Sequence, residues 1–152
     1  MSELNDRLQN DIKSAMRAKD KDRLGILRLI SAAIKQREVD ERIKLDDHQI
    51  VAVIDKMIKQ QRDALSQFEN ANRTDLADKA RFELDILQDY MPATLSASEL
   101  ETAIAEAIAA TGATSSADMG KVMAMIKPKV QGRCDMSQLS KQIKEKLARL
   151  TN

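Results

Sequence analysis

The chain has no tryptophan, one tyrosine and two phenylalanines among 152 residues. All three aromatics lie before residue 91, so the C-terminal third offers no ring on which a nucleobase could stack. A single cysteine, Cys134, excludes an internal disulfide. A single histidine, His48, is too few for a His/Cys metal site. Only four glycines and two prolines interrupt the chain. With few breakers and few strand formers, helices are expected almost throughout. No run of about 20 apolar residues is present, so no helix is expected to span a membrane. The first residues, Met1 to Asp6, lack the basic-then-apolar order of a secretory signal. One thiol, no span and no signal together lead to the expectation of a cytoplasmic protein.

What is present is charge, unevenly placed. Apolar residues make up 43% of the chain and charged residues 32%, enough to bury a core and stay solvated. Residues 121–149 hold eight Lys/Arg against two acids, a net of +6 in a chain whose total is +1. The first 120 residues therefore carry −5. Such asymmetry points to a polyanion-facing end on a solvated body.

Apolar spacing predicts seven helices. Leu4, Leu8, Ile12 and Met16 recur every four residues. Leu24, Leu27, Leu29, Ile30 and Ile34 form a wide apolar face on a second helix, which Asp20 or Asp22 caps and which ends near Glu41-Arg42. Asp46 with Gln49 opens a third, carrying Ile50 to Phe68. Thr74 is expected to cap a fourth, which Pro92 stops. Ser96 with Glu99 opens a fifth, which Gly112 ends. Ser115 or Ser116 starts a sixth, with Met119, Val122, Met123 and Ile126, and Pro128 is expected to kink or close it. Asp135 with Gln138 opens the last. The expected class is all-α: an N-terminal four-helix unit (1–92), a linker (93–97) and a C-terminal three-helix unit (98–152).

Chemistry-bearing residues are sparse. Asp20, Asp22, Asp46 and Asp47 stand at helix starts, where the helix dipole favours negative charge. Cys134 follows Arg133 and precedes a helix, a setting that favours thiolate, but no histidine lies near it in sequence to serve as base, so a packing role is expected. Gly120-Lys121 lacks the glycine-rich run and the following Ser/Thr of a phosphate-binding loop. Met119, Met123, Met125 and Met136 fit a core or a pliable partner groove. Four cations, Lys121, Lys127, Lys129 and Arg133, bracket a turn before a helix whose N–H groups suit phosphate oxygens. Backbone and shape recognition of a structured RNA or DNA is the mode this favours. Lys141, Lys144 and Lys146 are weaker candidates, since helical spacing spreads them.

Several segments carry a family resemblance. Leu27 to Lys35, Lys56 to Asp63, Asp75 to Lys79 and Ile86 to Pro92 resemble the stand-alone YqeY family. Asp118 to Met123, Gly132 to Asp135 and the helix from Leu139 to Leu147 resemble the tail domain of the B subunit of tRNA-dependent amidotransferases (GatB). The resemblance covers nearly the whole chain and implies two all-helical subdomains, the second, 98–152, being GatB-tail-like. In the amidotransferase that tail touches the outer body of the tRNA, away from the reacting ester, and other domains and subunits do the ATP and glutamine chemistry. Carried over, this gives Gly120, Lys121, Gly132 and Arg133 an RNA-binding role; Lys127 and Lys129 join that expected RNA-binding set from the cation cluster alone. No catalytic residue, metal or cofactor is expected. The implied partners are tRNA or another structured RNA, and an amidotransferase or synthetase complex, with no membrane. A carbon–nitrogen ligase component using glutamine as amido-N donor is the alternative; a protein-interaction adaptor is a second, and a DNA-binding helix-turn-helix a weaker variant. The resemblance departs from its pattern at Cys134, where Ala is common, and at Ala80, where Glu is common.

Overall fold

A computed structural model describes residues 2–150. The chain is all-α, as its composition predicts, and divides into two compact units, 1–91 and 92–152. The first holds α1 (Glu3–Arg17), α2 (Lys21–Glu41), α3 (Asp47–Asn70) and α4 (Thr74–Asp89). The second holds α5 (Ala97–Thr111), a 3-10 turn (Ser116–Asp118), α6 (Met119–Val130) and α7 (Met136–Leu150).

Short polar residues set most helix starts by accepting otherwise unpaired N–H groups. Ser2 Oγ accepts from Asn5 N at 3.0 Å, and Asp20 from Arg23 N at 3.2 Å. Both expected capping boxes of Asp46/Gln49 and Ser96/Glu99 form, with bonds of 2.9–3.2 Å. Thr74 does not cap α4. It is the first helical residue, and an Arg73–Asp75 ion pair at 3.2 Å spans the entry instead. Asp135 caps α7 through Ser137 N at 2.8 Å rather than through the Gln138 N–H. Gly112, at φ +67°, supplies the left-handed residue that ends α5.

In the first unit Leu8, Leu27, Ile30, Ile54 and Leu87 are fully buried. Removing such side chains from water is worth about 1.5–3 kcal/mol each. Tyr90 closes this core at the end of α4: its hydroxyl donates to Asp11, and the Arg7 guanidinium lies 4.4 Å from the ring centroid. Met16 departs from its expected place and is 51% exposed, while Ala15 is buried. A strict four-residue step drifts about 40° per repeat around a helix with 3.6 residues per turn, so by the fourth position the stripe has left the core.

In the second unit Ile104, Val122, Ile126, Leu139, Ile143 and Leu147 are fully buried. Asp118 accepts from Thr114 N and Ser115 N at 3.0 and 3.4 Å, which folds the chain through the 3-10 turn into α6. The expected start at Ser115 or Ser116 thus becomes a turn, with α6 proper beginning at Met119. Pro128 does not close α6, which runs on to Val130. A proline this near the C-terminus removes one intrahelical bond, and buried Ile126 and Val130 hold the last turn in place.

Candidate nucleic-acid interface

The inner stripe of α6 is Val122, Ile126 and Val130, all buried. Met119 and Met123 pack half-buried beside that stripe, and the rest of the helix surface faces solvent and carries Gly120, Lys121, Lys127 and Lys129, all exposed. The three lysines spread across this arc rather than converging on one point. Lys121 and Lys129 lie within about 80° of each other around the axis, whereas Lys127 and Lys129, two residues apart, diverge by about 160°. Lys121, 71% exposed, has one weak ion pair, to Asp118 at 3.9 Å. Asp118 is held below the ordinary carboxylate range, mainly by the Thr114 N–H, with Lys121 a smaller contributor.

Gly120 lies in the first turn of α6, and a Cβ added there would meet nothing within 4 Å. Neither packing nor backbone conformation in the unit requires a glycine at this position. Gly132 differs: at φ +78° it occupies the left-handed region, where side chains are costly, and it reverses the chain between α6 and α7.

Arg133 is half-buried and already engaged. Its Nε donates to the Ala93 carbonyl at 2.9 Å, and its own carbonyl accepts from Leu95 N at 2.8 Å. Residues 93–95, expected as linker, are thereby fastened to the α6–α7 turn. Arg133 also adds to the lowering of the Glu99 carboxyl pKa, behind the hydrogen bonds from Ser96. Cys134 packs at the edge of the second core, with Sγ 3.7 Å from the Val130 carbonyl oxygen.

The α7 lysines are better placed than their sequence spacing suggests. Leu139, Ile143 and Leu147 turn inward, which leaves Lys141, Lys144 and Arg149 on the exposed side, while Lys146 is half-buried. Only the position of the buried stripe shows this. His48 stands exposed in the first turn of α3. Among the described residues no group of three or more His, Cys, Asp or Glu is placed to hold a metal ion. No helix among them is long and apolar enough to cross a membrane.

These features define an all-α protein of two small helical units, the second with a cation-bearing outer surface on α6 and α7. The chain belongs to the YqeY family: the family model described as "Yqey-like protein" matches residues 5–147. Similar proteins include "Altered inheritance of mitochondria protein 41, mitochondrial" of Pyrenophora tritici-repentis, 33% identical over 91% of this chain and 78% of the relative. The protein of the same name from Eremothecium gossypii is 36% identical over 63% of this chain and 53% of its own length. That of Saccharomyces cerevisiae (strain YJM789) is 34% identical over 62% and 51%. The chain spans about half the length of these last two relatives. The expectation of a cytoplasmic protein is overturned by these relatives, which are named as mitochondrial. Composition misled here because a single cysteine and the lack of a spanning helix characterise any reducing aqueous compartment, not the cytosol alone.

Proposed function

We propose that the second unit is a docking module for tRNA or another structured RNA, acting beside an amidotransferase or synthetase that supplies the chemistry. The observation that carries this is the outer arc of α6. It holds three exposed lysines around a glycine whose backbone is open to close approach and which the fold itself does not need. Lysines spread over an arc suit a curved phosphate surface better than a single anion, and the absence of aromatics in this unit favours backbone over base recognition. Gly120, Lys121, Lys127 and Lys129 make the contact, and Lys141, Lys144 and Arg149 extend it. Gly132 shapes the turn. Arg133 serves mainly to fasten residues 93–95 and offers the RNA only its outer guanidinium nitrogens. The chain carries out no reaction alone; glutamine-dependent amidation of a mischarged tRNA by the purified chain would contradict this.

The test is the triple variant Lys121→Glu/Lys127→Glu/Lys129→Glu, all at exposed positions, assayed by gel shift with total tRNA across a salt series. Each phosphate contact contributes a slope of about 0.7–0.9 log units of affinity per log unit of salt, so the variant's slope falls by about 2–3. Retention and slope equal to those of the unaltered chain would remove the proposal. Arg133→Glu is unsuitable, since it would also release Ala93.

A further inference from the structure

The second helix has an outer face that the core does not use. Leu29, expected on the buried side, is 56% exposed; Val39 is 72% and Ile43 39% exposed. Gly25, Leu29, Ala32, Gln36 and Val39 follow one another at steps of four and three, and Ile43 continues the series just past the helix end. All six are exposed. Alternating steps of four and three are the seam of two helices packed side by side. Gly25 and Ala32 keep that seam low, and nothing lies within 4 Å of a Cβ built at Gly25. Along one edge runs a second series, Lys21, Arg28, Lys35 and Arg42, at steps of seven and all exposed. None of the four has an ion-pair partner among the described residues. Beside the C-terminal half of α2 opens a groove of about 630 Å³, lined by Gln9, Ile34, Lys35, Glu38, Val39 and Arg42 among others; its one acid, Glu38, already accepts from Leu45 N at 2.9 Å and pairs with Lys44 at 4.0 Å.

We propose that this face docks an acidic amphipathic helix of another protein. Its apolar stripe would pack on Leu29, Ala32 and Val39, and its carboxylates would meet the four cations. Charge complementarity selects this occupant. In an antiparallel pair of α2 helices the two cation rows would face each other. A parallel pair would place only Lys35 against an acid, Asp40. A second copy is therefore a poor fit. A phosphate surface has no use for the apolar ridge. A bilayer would call for Trp or Phe anchors, and α2 has neither. A helix of 21 residues is about 31 Å long, so the interface is small and a micromolar, transient affinity follows.

The experiment uses the full chain and a fluorescein-labelled synthetic helix of three heptads. That peptide has Leu at its seam positions and Glu along both flanks; a matched peptide carries Lys instead. Fluorescence anisotropy at low salt is expected to show the Glu peptide binding at least tenfold more tightly than the Lys peptide. Arg28→Glu/Lys35→Glu reverses that preference, and Leu29→Asp/Val39→Asp abolishes binding of both. All four positions are exposed, so the fold is retained, which far-UV circular dichroism verifies. Equal affinity for the two peptides, or no binding at millimolar peptide, overturns the proposal. So does a dimer of the free chain in sedimentation that Leu29→Asp disperses, or sedimentation with acidic phospholipid vesicles that the same substitution abolishes.

Discussion

Tyr90 gives a sharp test because it is the only tyrosine and the chain has no tryptophan. Its ring is buried under Arg7, its hydroxyl donates to Asp11, and Arg7 in turn pairs with Asp89 at 2.8 Å. Tyr90→Phe keeps the ring, its burial and the cation–π contact, and removes only the donor to Asp11. A hydrogen bond to a charged group contributes about 1.5–3 kcal/mol, and the Asp11 side chain is one-quarter exposed, so about 1–2 kcal/mol is expected. For a unit of this size that lowers the melting temperature by roughly 4–16 °C. Calorimetry gives the shift, and hydrogen exchange at α1 and α4 assigns it to the first unit. Burial, then the Asp11 hydrogen bond and charge, raises the phenol pKa above its ordinary 10.0. The fold therefore favours the neutral phenol. That contribution is fully present below pH 10 and is lost as the pH rises from there. The stability gap between the two proteins should be constant from pH 7 to 9 and close above 10. Ultraviolet absorbance of the lone tyrosine should show no ionisation of the folded chain near pH 10. A phenolate midpoint at 10 in the folded protein, or a melting shift under 2 °C, would refute the reasoning.

Gly120→Ala should raise the stability of the second unit by about 0.5–1 kcal/mol, since alanine is the better helix former and nothing crowds its Cβ. The same substitution should weaken tRNA retention by limiting backbone approach; a melting curve and a gel shift measure the two effects, and a loss of stability would show that the open space is misjudged. Ser96→Ala should cost about 1 kcal/mol by removing the α5 cap. The Ser96 backbone N–H chiefly, and its hydroxyl to a smaller extent, hold the Glu99 carboxyl below its usual value, and alanine removes only the second. A depressed carboxyl stabilises the fold above its ordinary pKa and loses that effect as pH falls through the folded value. Protection factors for the α5 amides should thus fall as the pH drops below about 4.5 in the unaltered chain, and somewhat less in the variant, which keeps the residue-96 N–H but lacks the hydroxyl.

Much of this molecule is written locally. The helices at Asp46/Gln49 and Ser96/Glu99 begin where their capping residues say, because a cap is decided within four residues. Helix as the only regular element among the described residues follows from the scarcity of breakers and strand formers, and the buried stripe of α7 from the spacing of Leu139, Ile143 and Leu147. The sequence was less able to say which residues face outward on helices with more apolar positions than one core face needs. Leu29 and Met16 satisfy the same spacing rules as their buried neighbours, yet the bundle has room for only one arc of each helix. Arg133 looked like a free cation next to a turn, and only the folded chain brings Ala93, forty residues earlier, to its Nε.

The amino-acid order by itself determined the fold class, most helix ends and the family, since all three rest on residues near one another in the chain. Tertiary structure decided which cations are free and which are engaged, and which apolar residues are left outside. Those outcomes depend on how the helices of each unit share a limited buried volume, a property of packing that no local spacing contains.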